Sequence, residues 1–326
     1  MDFSAKVVDH HTMEVAMVLA AGFGTRLRPL TDLRPKPLVP LGDDTVLGTI
    51  VARLVEAAGV RRFVVNAHHH ADQIRAALTR PPPEVDEVRV LAEPAILGTA
   101  GGVANAHPAL PRDASVLVHN GDIVADLDFV ALAAHHRDER PEPAATLAVR
   151  PRRDDRGRVG VDADGWVVRL RDHRVDGRPE VSTADFCGVQ ILGPSLRARL
   201  PATGCLVGDA YIPALRRGDR LRAAPVVRHF DDVGTPAAYL RAHLRWLEDR
   251  ALPSWCHPSA VVPPGVTLDR SFVGAGARVR SLSGVIARCV IWPDTDVVAI
   301  PPPDAIVIPN HTVPVVEGVE GASVLR

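Results

Sequence analysis

Val-Leu-Ala-Ala-Gly-Phe-Gly-Thr-Arg-Leu-Arg-Pro-Leu-Thr-Asp-Leu-Arg-Pro-Lys-Pro-Leu-Val-Pro occupies residues 18–40 and decides the fold of this chain. An apolar strand, Val15–Leu19, runs into a loop that contains Gly22 and Gly24. Small residues let backbone N–H groups approach a phosphate closely. Two arginines, and Lys36 between two prolines, supply the positive charge that a polyphosphate requires. The stretch therefore predicts a phosphate-binding loop at the end of a strand.

Two other glycine-rich loops do not fit this stretch. A dinucleotide fingerprint needs a third glycine where Leu27 stands. A P-loop needs a Gly-Lys-Ser/Thr run, which is absent from the chain. An ordinary strand-to-helix turn explains the glycines but not the arginines or the segment Pro35-Lys36-Pro37. The chain has only two lysines, Lys6 and Lys36, beside 36 arginines, and an ammonium is not interchangeable with a guanidinium at a crowded phosphate site.

The stretch resembles the signature of the sugar-nucleotide pyrophosphorylases, the nucleotidyltransferases that activate sugar 1-phosphates. Three further blocks resemble segments of that family in the expected order. They are Leu-Gly-Thr-Ala-Gly-Gly at 97–102 with Glu93 before it, Val-His-Asn-Gly-Asp at 118–122, and Asp-Asp-Val-Gly-Thr-Pro at 231–236. The resemblance covers residues 15 to about 245.

The resemblance implies a role for each matching position. The catalytic candidates are Arg26, Lys36 and Asp122, and the metal-binding candidates are Asp122 and Asp232. The positions that would contact the nucleotide are Leu19, Ala20, Ala21, Gly22, Gly24, Thr25, Glu93, Gly98, Thr99 and Ala100. The positions that would contact the sugar are Asn120, Gly121, Gly160, Arg171 and Gly188.

The implied reaction explains why these residue types are needed. The phosphate of a sugar 1-phosphate attacks the α-phosphorus of a nucleoside triphosphate and displaces pyrophosphate. The attacking phosphate is already an anion, so alignment and charge neutralisation matter more than a general base. Mg²⁺ is the expected cofactor, because it prefers oxygen ligands and bridges phosphates through one or two carboxylates.

Two segments depart from a simple match. Many family members have a Glu-Lys-Pro motif whose lysine holds the sugar phosphate, but this chain reads Leu-Arg-Asp-His-Arg at 170–174. Either Arg171 or Arg174 could replace that lysine. The run His68-His69-His70 invites a metal site, but consecutive residues do not converge easily on one ion. A place at the start of a helix or on the wall of the cleft is favoured for this run.

Alternating strands and helices predict the architecture of residues 1–250. Strands are expected at 15–19, 63–66, 88–91, 116–119 and 145–149, and helices at 45–58, 72–78, 99–106, 129–136 and 236–248. The pattern predicts a doubly wound, mostly parallel α/β sheet with its ligands at the carboxyl edge. The resemblance implies the Rossmann-like nucleotidyltransferase fold. Short strands at 159–161 and 166–170 predict an insertion that covers the sugar side of the cleft.

Residues 251–326 have a different pattern. A six-residue period predicts a short left-handed parallel β-helix of about two coils, followed by prolines at 301–303 and an irregular end. The repeating positions are Val261, Thr267, Val273, Val279, Val285, Ile291 and Val297. An all-β segment with accidental spacing is the alternative. Such tails serve assembly or regulation in the resembling family, so a homo-oligomer is expected.

Bulk composition excludes several classes of function. The formal net charge is −1, which implies neither a nucleic-acid partner nor a membrane surface. Four widely spaced cysteines form no CxxC pair and are typical of thiols in a reducing compartment. No apolar run reaches the roughly 20 residues of a membrane span, and no signal-peptide core is visible. A cytoplasmic protein is expected.

The resulting hypothesis is a Mg²⁺-dependent sugar-1-phosphate nucleotidyltransferase. Its substrates would be a nucleoside triphosphate, with GTP favoured, and a sugar 1-phosphate, since the His run and the missing Glu-Lys-Pro resemble mannose- or heptose-1-phosphate guanylyltransferases. Uridylyl transfer to another sugar and a non-catalytic, nucleotide-sugar-sensing subunit are the alternatives. An acyltransferase tail is disfavoured, because it would need more coils and His257 lies outside any full set of them.

Overall fold

The computed structural model describes residues 13–175 and 177–315. The strands of residues 13–250 are β1 (Val15–Leu19), β2 (Pro40–Leu41), β3 (Asp44–Thr45), β4 (Arg62–Ala67), β5 (Glu87–Ala92), β6 (Val116–Asn120), β7 (Ile123–Leu127), β8 (Ala145–Pro151), β9 (Val159–Val161), β10 (Val167–Leu170), β11 (His173–Arg174), β12 (Ser182–Leu192), β13 (Leu221–Ala224) and β14 (Val227–Asp232). Those of the C-terminal segment are β15 (Trp255–Cys256), β16 (Val266–Asp269), β17 (Phe272–Val273), β18 (Arg278–Val279), β19 (Gly284–Ala287), β20 (Val290–Ile291), β21 (Asp296–Val297), β22 (Ala305–Ile308) and β23 (His311–Pro314).

Helices alternate with the strands as far as residue 249. The α-helices are α1 (Leu30–Leu33), α2 (Val46–Ala58), α3 (Ala71–Ala77), α4 (Gly98–Asn105), α5 (Phe129–Arg137), α6 (Pro194–Arg197), α7 (Ile212–Arg216) and α8 (Pro236–Asp249). Single turns of 3₁₀-helix lie at Thr25–Leu27, Lys36–Leu38 and His107–Ala109, and a π-helix spans Leu206–Tyr211. All five predicted helices form within about two residues of their expected bounds.

The central sheet confirms a mixed α/β fold with a largely parallel centre. Its parallel part has the order β6-β1-β4-β5, in which β1 pairs with both β4 and β6. Apolar residues fill β1 because helices cover both faces of the sheet: Ala16 and Val18 face one buried cluster, and Met17 faces another. The carboxyl ends of β1, β4 and β6 therefore meet at one edge.

The other half of the sheet is mostly antiparallel, with β13 parallel to β8, and the alternation of elements did not predict this. The long strand β12 pairs antiparallel with β6, β8 and β9. The short strands β9, β10 and β11 then continue the same sheet beyond β12. The insertion of short strands thus extends the sheet sideways.

A separate two-stranded ribbon joins distant parts of the chain. Strand β7 follows β6 after a two-residue turn, and it pairs antiparallel with β14 in a register that sets Ile123 beside Asp232. Helix α8 begins directly after this ribbon. The Thr235 hydroxyl accepts a hydrogen bond from the backbone N–H of Ala238 at 3.2 Å, and Pro236 occupies the first helical turn, a pairing that favours helix initiation.

The C-terminal segment forms parallel coils. Val266 pairs with Gly284, Phe272 with Val290, and Arg278 with Asp296, so these three strands each meet a strand 18 residues later. Three six-residue sides per coil give this offset. The left-handed sense of the coil stays a prediction.

Two details of the C-terminal prediction are wrong. Val261, Thr267 and Val285 of the six-residue repeat face solvent, and neighbouring residues such as Val266 and Ile286 enter the coil interior instead. At these positions the repeat is out of register by one residue, which moves alternate side chains to the other face. Residues after the prolines are also not irregular throughout, because β22 and β23 form an antiparallel hairpin. Residues 316–326 of the predicted irregular end lie outside the described residues.

Helix α8 packs between the central sheet and the coils. His243 is 1% exposed, and its ring contacts Tyr239 on the same helix and Phe272 of the coil edge-on. Trp246 has a similar place, against Trp255 and Phe272. Within the described residues 13–175 and 177–315, no helix is both long enough and apolar enough to cross a bilayer.

The buried His243 predicts a loss of stability in mild acid. Burial lowers the pKa of His243 to about 4, and the backbone carbonyl of Tyr239 opposes this only in part. Between pH 6.5 and 4 the unfolded chain takes up a proton that the folded chain does not, so stability falls as the pH falls. This one group costs about 3 kcal/mol by pH 4.

The measurement is urea unfolding at several pH values between 7 and 4. His243→Phe keeps the aromatic contacts but cannot titrate, so its free energy of unfolding should fall less steeply with pH, by up to about 1.4 kcal/mol per pH unit. Identical slopes for the two proteins would refute the assignment.

Candidate functional site

Polar residues stand side by side where the parallel strands end. In the sheet register, Leu19 lies between Asn66 of β4 and Asn120 of β6. Gly121 follows, and its N–H donates to the carbonyl of Leu19 at 2.8 Å. A Cβ on Gly121 would lie 2.8 Å from that same oxygen, so the close approach requires glycine. The strand ends thus bring the signature loop and the Asn-Gly-Asp block together.

A cleft opens above these strand ends. It encloses about 600 Å³, a volume that includes its open mouth. The residues that line it are Leu19, Ala20, Ala21, Gly22, Lys36, Pro37, Asn66, Ile96, Gly98, Thr99, Asn120, Gly121 and Asp122. Ten of the predicted site residues therefore line the cleft: Leu19, Ala20, Ala21, Gly22, Lys36, Gly98, Thr99, Asn120, Gly121 and Asp122.

The signature loop is held in shape by contacts within itself. Gly24 adopts a left-handed conformation with a φ of 64°, and the Thr31 hydroxyl donates to its carbonyl at 3.0 Å. A Cβ on Gly24 would lie 3.0 Å from the Cβ of Lys36, so the two ends of the loop touch here. Thr25 and Arg26 are exposed beyond this point and do not line the cleft.

Lys36 bridges two carboxylates at the centre of the site. Its Nζ lies 2.6 Å from Asp122 Oδ2 and 3.5 Å from Asp232 Oδ1, and its side chain is only 9% exposed. Arg26 is the second cation, 3.9 Å from Asp232, and its side chain is 45% exposed. The predicted catalytic and metal-binding residues thus converge although they are far apart in sequence.

The two carboxyl groups experience opposite shifts in pKa. Burial alone would raise the pKa of Asp122, but the Lys36 ammonium outweighs burial and holds this pKa below its usual value. The pKa of Asp232 is raised, first by burial and then by repulsion from Asp122. One ammonium therefore does not fully offset two neighbouring carboxylates, and the site favours additional positive charge.

Strand alternation explains why Asp232, and not its neighbour, faces Lys36. Successive side chains of β14 point to opposite faces. Asp231 consequently points away and accepts a hydrogen bond from Arg245 of α8 at 2.9 Å. The pairing of β14 with β7, and the hydrogen bond from the N–H of Val233 to the carbonyl of Asp122 at 2.9 Å, set Asp232 beside Asp122.

The Leu-Gly-Thr-Ala-Gly block packs on the loop before the π-helix. Gly98 has a φ of 76°, and a Cβ there would overlap the carbonyl oxygen of Gly204. The Thr99 hydroxyl accepts a hydrogen bond from Leu206 N–H at 2.8 Å. Ala100 does not fit its predicted role, because its side chain is in the apolar core and its N–H already donates to Gly204.

Glu93 lies behind the cleft wall, whereas the prediction placed it facing the nucleotide. It is 4% exposed, and its two carboxylate oxygens accept hydrogen bonds from the side chain of Asn66 at 2.7 Å and from Leu97 N–H at 3.3 Å. Asn66 in turn accepts from Ala20 N–H at 2.8 Å. Glu93 therefore supports the loop through Asn66, which the sequence analysis missed.

The position of Asn66 in the sequence could have indicated that it belongs to the site. A polar residue near the carboxyl end of a buried strand, next to the strand that carries the signature loop, is at the expected ligand edge. The N–H of Ala20, the side-chain amide of Asn66 and the carboxylate of Glu93 each have a hydrogen-bond partner. This matters because a buried polar group without a hydrogen bond costs about 1–3 kcal/mol.

Of the residues predicted to contact the sugar, Asn120 and Gly121 line the cleft, whereas Gly160 and Gly188 lie elsewhere in the sheet. Gly160 is buried within β9, where a Cβ would meet the Glu180 carboxylate, and Gly188 occupies an irregularity of β12 with a φ of 85°. Neither lines the cleft. Both glycines thus have a local backbone reason, and their sugar contact stays a prediction.

Arg171 and Arg174 are distinguished by their partners. Arg174 pairs with Glu180 at 2.7 Å and is 62% exposed. Arg171 has a φ of 55° and turns toward the π-helix, with Nη2 3.9 Å from Cys205 Sγ and no hydrogen-bond partner for its buried Nε. The guanidinium of Arg171 thus lacks a hydrogen-bond partner at Nε, whereas Arg174 has an ion pair. Arg171 lies near the π-helix, whose Leu206 N–H donates to Thr99.

The His run lies beside the signature loop. His68 bonds the carbonyl of Glu93 through Nδ1 at 2.8 Å, and its ring meets Phe23 edge-on at 5.4 Å. His70 directly precedes α3, as the expectation of a helix start requires. None of the three histidines is among the residues that line the cleft, so a place on its wall is not what the structure shows.

The donor set at the centre is compatible with a magnesium ion. Asp122 and Asp232 offer oxygen ligands facing one point, and their mutual repulsion raises the pKa of Asp232. Among residues 13–175 and 177–315, no group of three or more His, Cys, Asp or Glu side chains could hold a metal by itself. Mg²⁺ commonly binds through one or two carboxylates and completes its shell with water and phosphate oxygens, which fits such a pair.

Comparison with known proteins points to one family. A family model described as nucleotidyl transferase matches residues 15–172. N-acetylmuramate alpha-1-phosphate uridylyltransferase of Caulobacter vibrioides is 36% identical over 202 residues, which are 58% of this chain and 78% of that protein. Mannose-1-phosphate guanyltransferase of Aspergillus fumigatus is 32% identical over 247 residues, 72% of this chain and 65% of that protein. The chain thus spans slightly less than two thirds of the latter's length.

A solved structure shows the same fold. The crystal structure of HddC from Yersinia pseudotuberculosis complexed with GMP-PN superposes with a TM-score of 0.58 at 23% identity, covering 72% of this chain and all of that one. Together with the sequence matches, this confirms the resemblance to sugar-nucleotide pyrophosphorylases.

Two glycine substitutions should separate binding from folding. Gly22 lines the cleft with open space around it, so Gly22→Ala should leave the free energy of unfolding unchanged. Its methyl group would occupy part of the cleft and weaken nucleoside triphosphate binding by about tenfold, or about 1.4 kcal/mol. Gly98→Ala should instead destabilise the protein by more than about 1 kcal/mol, because its φ is positive and Gly204 blocks the methyl group.

The measurements are calorimetric titration with GTP and UTP and chemical unfolding of each variant. Destabilisation of Gly22→Ala, or unchanged binding to a folded Gly22→Ala protein, would contradict the placement of the loop.

Proposed function

This chain belongs to the nucleotidyl transferase family, and we propose that it transfers a nucleotidyl group from a nucleoside triphosphate to a sugar 1-phosphate. The observation that carries the proposal is Lys36, which bridges Asp122 and Asp232 beside the glycine-containing loop at the carboxyl edge of the sheet. The products would be a nucleoside diphosphate sugar and pyrophosphate.

The chain's own residues would act by positioning and by charge. Backbone N–H groups of the loop around Gly22 would approach the triphosphate, since that part of the wall has no side chain in the way. Lys36 and Arg26 would offset the negative charge that moves onto the leaving pyrophosphate. No general base is needed, because the attacking phosphate oxygen of the sugar 1-phosphate is already ionised.

We propose Mg²⁺ as the cofactor, held by Asp122 and Asp232. When bound, it would supply positive charge that lowers the mutual repulsion of the phosphates. The charge of the site supports this proposal. Two cations, Lys36 and Arg26, face two carboxylates, so the protein alone brings almost no net positive charge to a polyanionic substrate.

We favour GTP with mannose 1-phosphate or a heptose 1-phosphate. The guanyltransferases named above and the GMP-PN complex of HddC support this choice. Uridylyl transfer is the second candidate, because the N-acetylmuramate alpha-1-phosphate uridylyltransferases of Caulobacter vibrioides and Neisseria meningitidis are 36% and 34% identical to this chain. A regulatory subunit is disfavoured, since all four charged positions are present.

Three further features are part of the proposal. The C-terminal coils are proposed to be left-handed, as sustained six-residue repeats usually are. The protein is proposed to form a homo-oligomer through them. A cytoplasmic location is proposed because nucleoside triphosphates are made and used there.

The test of the proposed function is pyrophosphate release over a grid of substrates. Five nucleoside triphosphates are combined with a panel of sugar 1-phosphates in the presence of Mg²⁺. We expect release in one or two combinations, with GTP among them, and loss of at least about 100-fold in Asp122→Asn because it removes charge at the reacting phosphates. No release from folded protein that still binds a nucleotide sugar would favour the regulatory alternative.

Adjacent aspartates provide a matched control for the metal. Asp232→Asn should raise the Mg²⁺ concentration needed for half-maximal rate, whereas Asp231→Asn, which faces Arg245, should leave it unchanged. An equal shift in both variants would mean that the effect arises from the shape of the ribbon and not from a ligand.

Substitution of each arginine in turn tests whether Arg171 or Arg174 holds the sugar phosphate. Arg171→Met should raise the KM for the sugar 1-phosphate by about 10- to 100-fold, the loss of one charge-assisted contact, and leave the KM for the triphosphate unchanged. Arg174→Met, which breaks an exposed pair with Glu180, should change neither. The reverse pattern in initial-rate kinetics would assign the sugar phosphate to Arg174.

A further inference from the structure

The C-terminal coils contact the signature segment through Trp292, whose ring lies against Arg34. The buried cluster that includes Leu30 and Leu38 of the loop also includes Phe272, Trp292 and Ile306 of the coils. Leu30 and Leu38 flank Lys36 in sequence and are 0% and 6% exposed. The segment that carries the central cation therefore rests on residues outside the nucleotide-binding fold.

Trp292 is the largest side chain in this contact. It follows β20, is 2% exposed, and has the Arg34 guanidinium over its ring at 5.9 Å from Cζ to the ring centre. Arg34 is two residues from Lys36. A large buried aromatic ring in contact with a cation holds the backbone that carries the cation close to the ring, because dispersion and cation–π contacts fall off steeply with distance.

Tyr239 of α8 also contacts the signature segment. Its hydroxyl donates to the carbonyl of Pro40 at 2.7 Å, at the far end of the loop. Burial raises the pKa of Tyr239 well above its usual value, and the nearby Trp292 and Arg34 side chains oppose that rise. Trp292 Nε1 itself makes no hydrogen bond of normal geometry. The buried Trp292 and Tyr239 thus contact the two ends of the segment 34–40, through Arg34 and through the carbonyl of Pro40.

We propose that Trp292 is a positioning residue for Lys36, so that the C-terminal coils set the alignment of the phosphate-binding cation. This rests on the proposed function only for its kinetic consequence. The geometric claim concerns the Lys36 side chain itself. Because Lys36 must lie within hydrogen-bond reach of two carboxylates, a displacement of about 1 Å of its backbone would disturb both contacts.

The scarcity of lysine makes a direct test available. Protein labelled with ¹³C at lysine Cε should give two lysine signals, from Lys6 and Lys36, and Lys6→Arg assigns them. In folded Trp292→Ala we expect the Lys36 signal to move by more than its linewidth while the Lys6 signal stays in place. The kcat should fall by about 10- to 100-fold, as expected for a misplaced catalytic group.

Trp255→Ala is the matched control. Trp255 lies on the same coils and stacks on Phe272 at 4.4 Å, and its other ring contacts are with Trp246 and His257, so none of them is with Trp292, Arg34 or Tyr239. It should lower the melting temperature as Trp292→Ala does and leave the Lys36 signal unchanged. If both variants move that signal equally, the coils act through general stability and the proposal is wrong.

Two milder changes keep the test decisive if Trp292→Ala does not fold. Trp292→Phe and Arg34→Ala each weaken the contact without opening a large cavity, and both should move the Lys36 signal in the same direction by a smaller amount. An unmoved Lys36 signal in these folded proteins would overturn the proposal. A moved signal in a protein that releases no pyrophosphate would support the positioning role and refute the proposed function.

Discussion

The ion pairs of Lys36 with Asp122 and Asp232 are the constraint on which the rest of the structure depends. A nearly buried ammonium is stable only with close partners, and two neighbouring carboxylates are stable only with a cation between them. The three groups come from the signature loop, the end of β6 and the end of β14. Satisfying them fixes the loop, the central sheet and the two-stranded ribbon relative to one another.

Support for this arrangement comes from two sides. Behind the cleft, Glu93 holds Asn66 and Asn66 holds the N–H of Ala20, so the start of the loop is fixed by buried hydrogen bonds. Beneath the loop, apolar residues of α8 and of the coils fill the space under Leu30 and Leu38. The loop is consequently shaped before a substrate arrives, which lowers the reorganisation that a charged reaction would otherwise require.

How much was predictable from sequence depended on the range of the interactions. Strands such as β1 and helices such as α2, with Gly59 ending it at a φ of 68°, follow from local periodicity and capping. The carboxylates were recognised because short motifs at strand ends have a chemical meaning. The antiparallel course of β12, the buried role of Glu93 and the core position of Ala100 were not predictable, because each depends on a partner distant in sequence. The shifted repeat at Thr267 and Val285 was missed since a fixed period does not reveal which residue of a pair faces inward.

The opposite orientations of Asp231 and Asp232 have a consequence for how this protein can change over evolution. A substitution within β14 alters one side chain, but the gain or loss of a single residue between Val227 and Asp232 would exchange the inward and outward faces of everything that follows. The carboxylate that pairs with Arg245 would then point into the cleft, and the one beside Asp122 would point at α8. Length in this ribbon should therefore be under stronger selection than the identity of most of its residues.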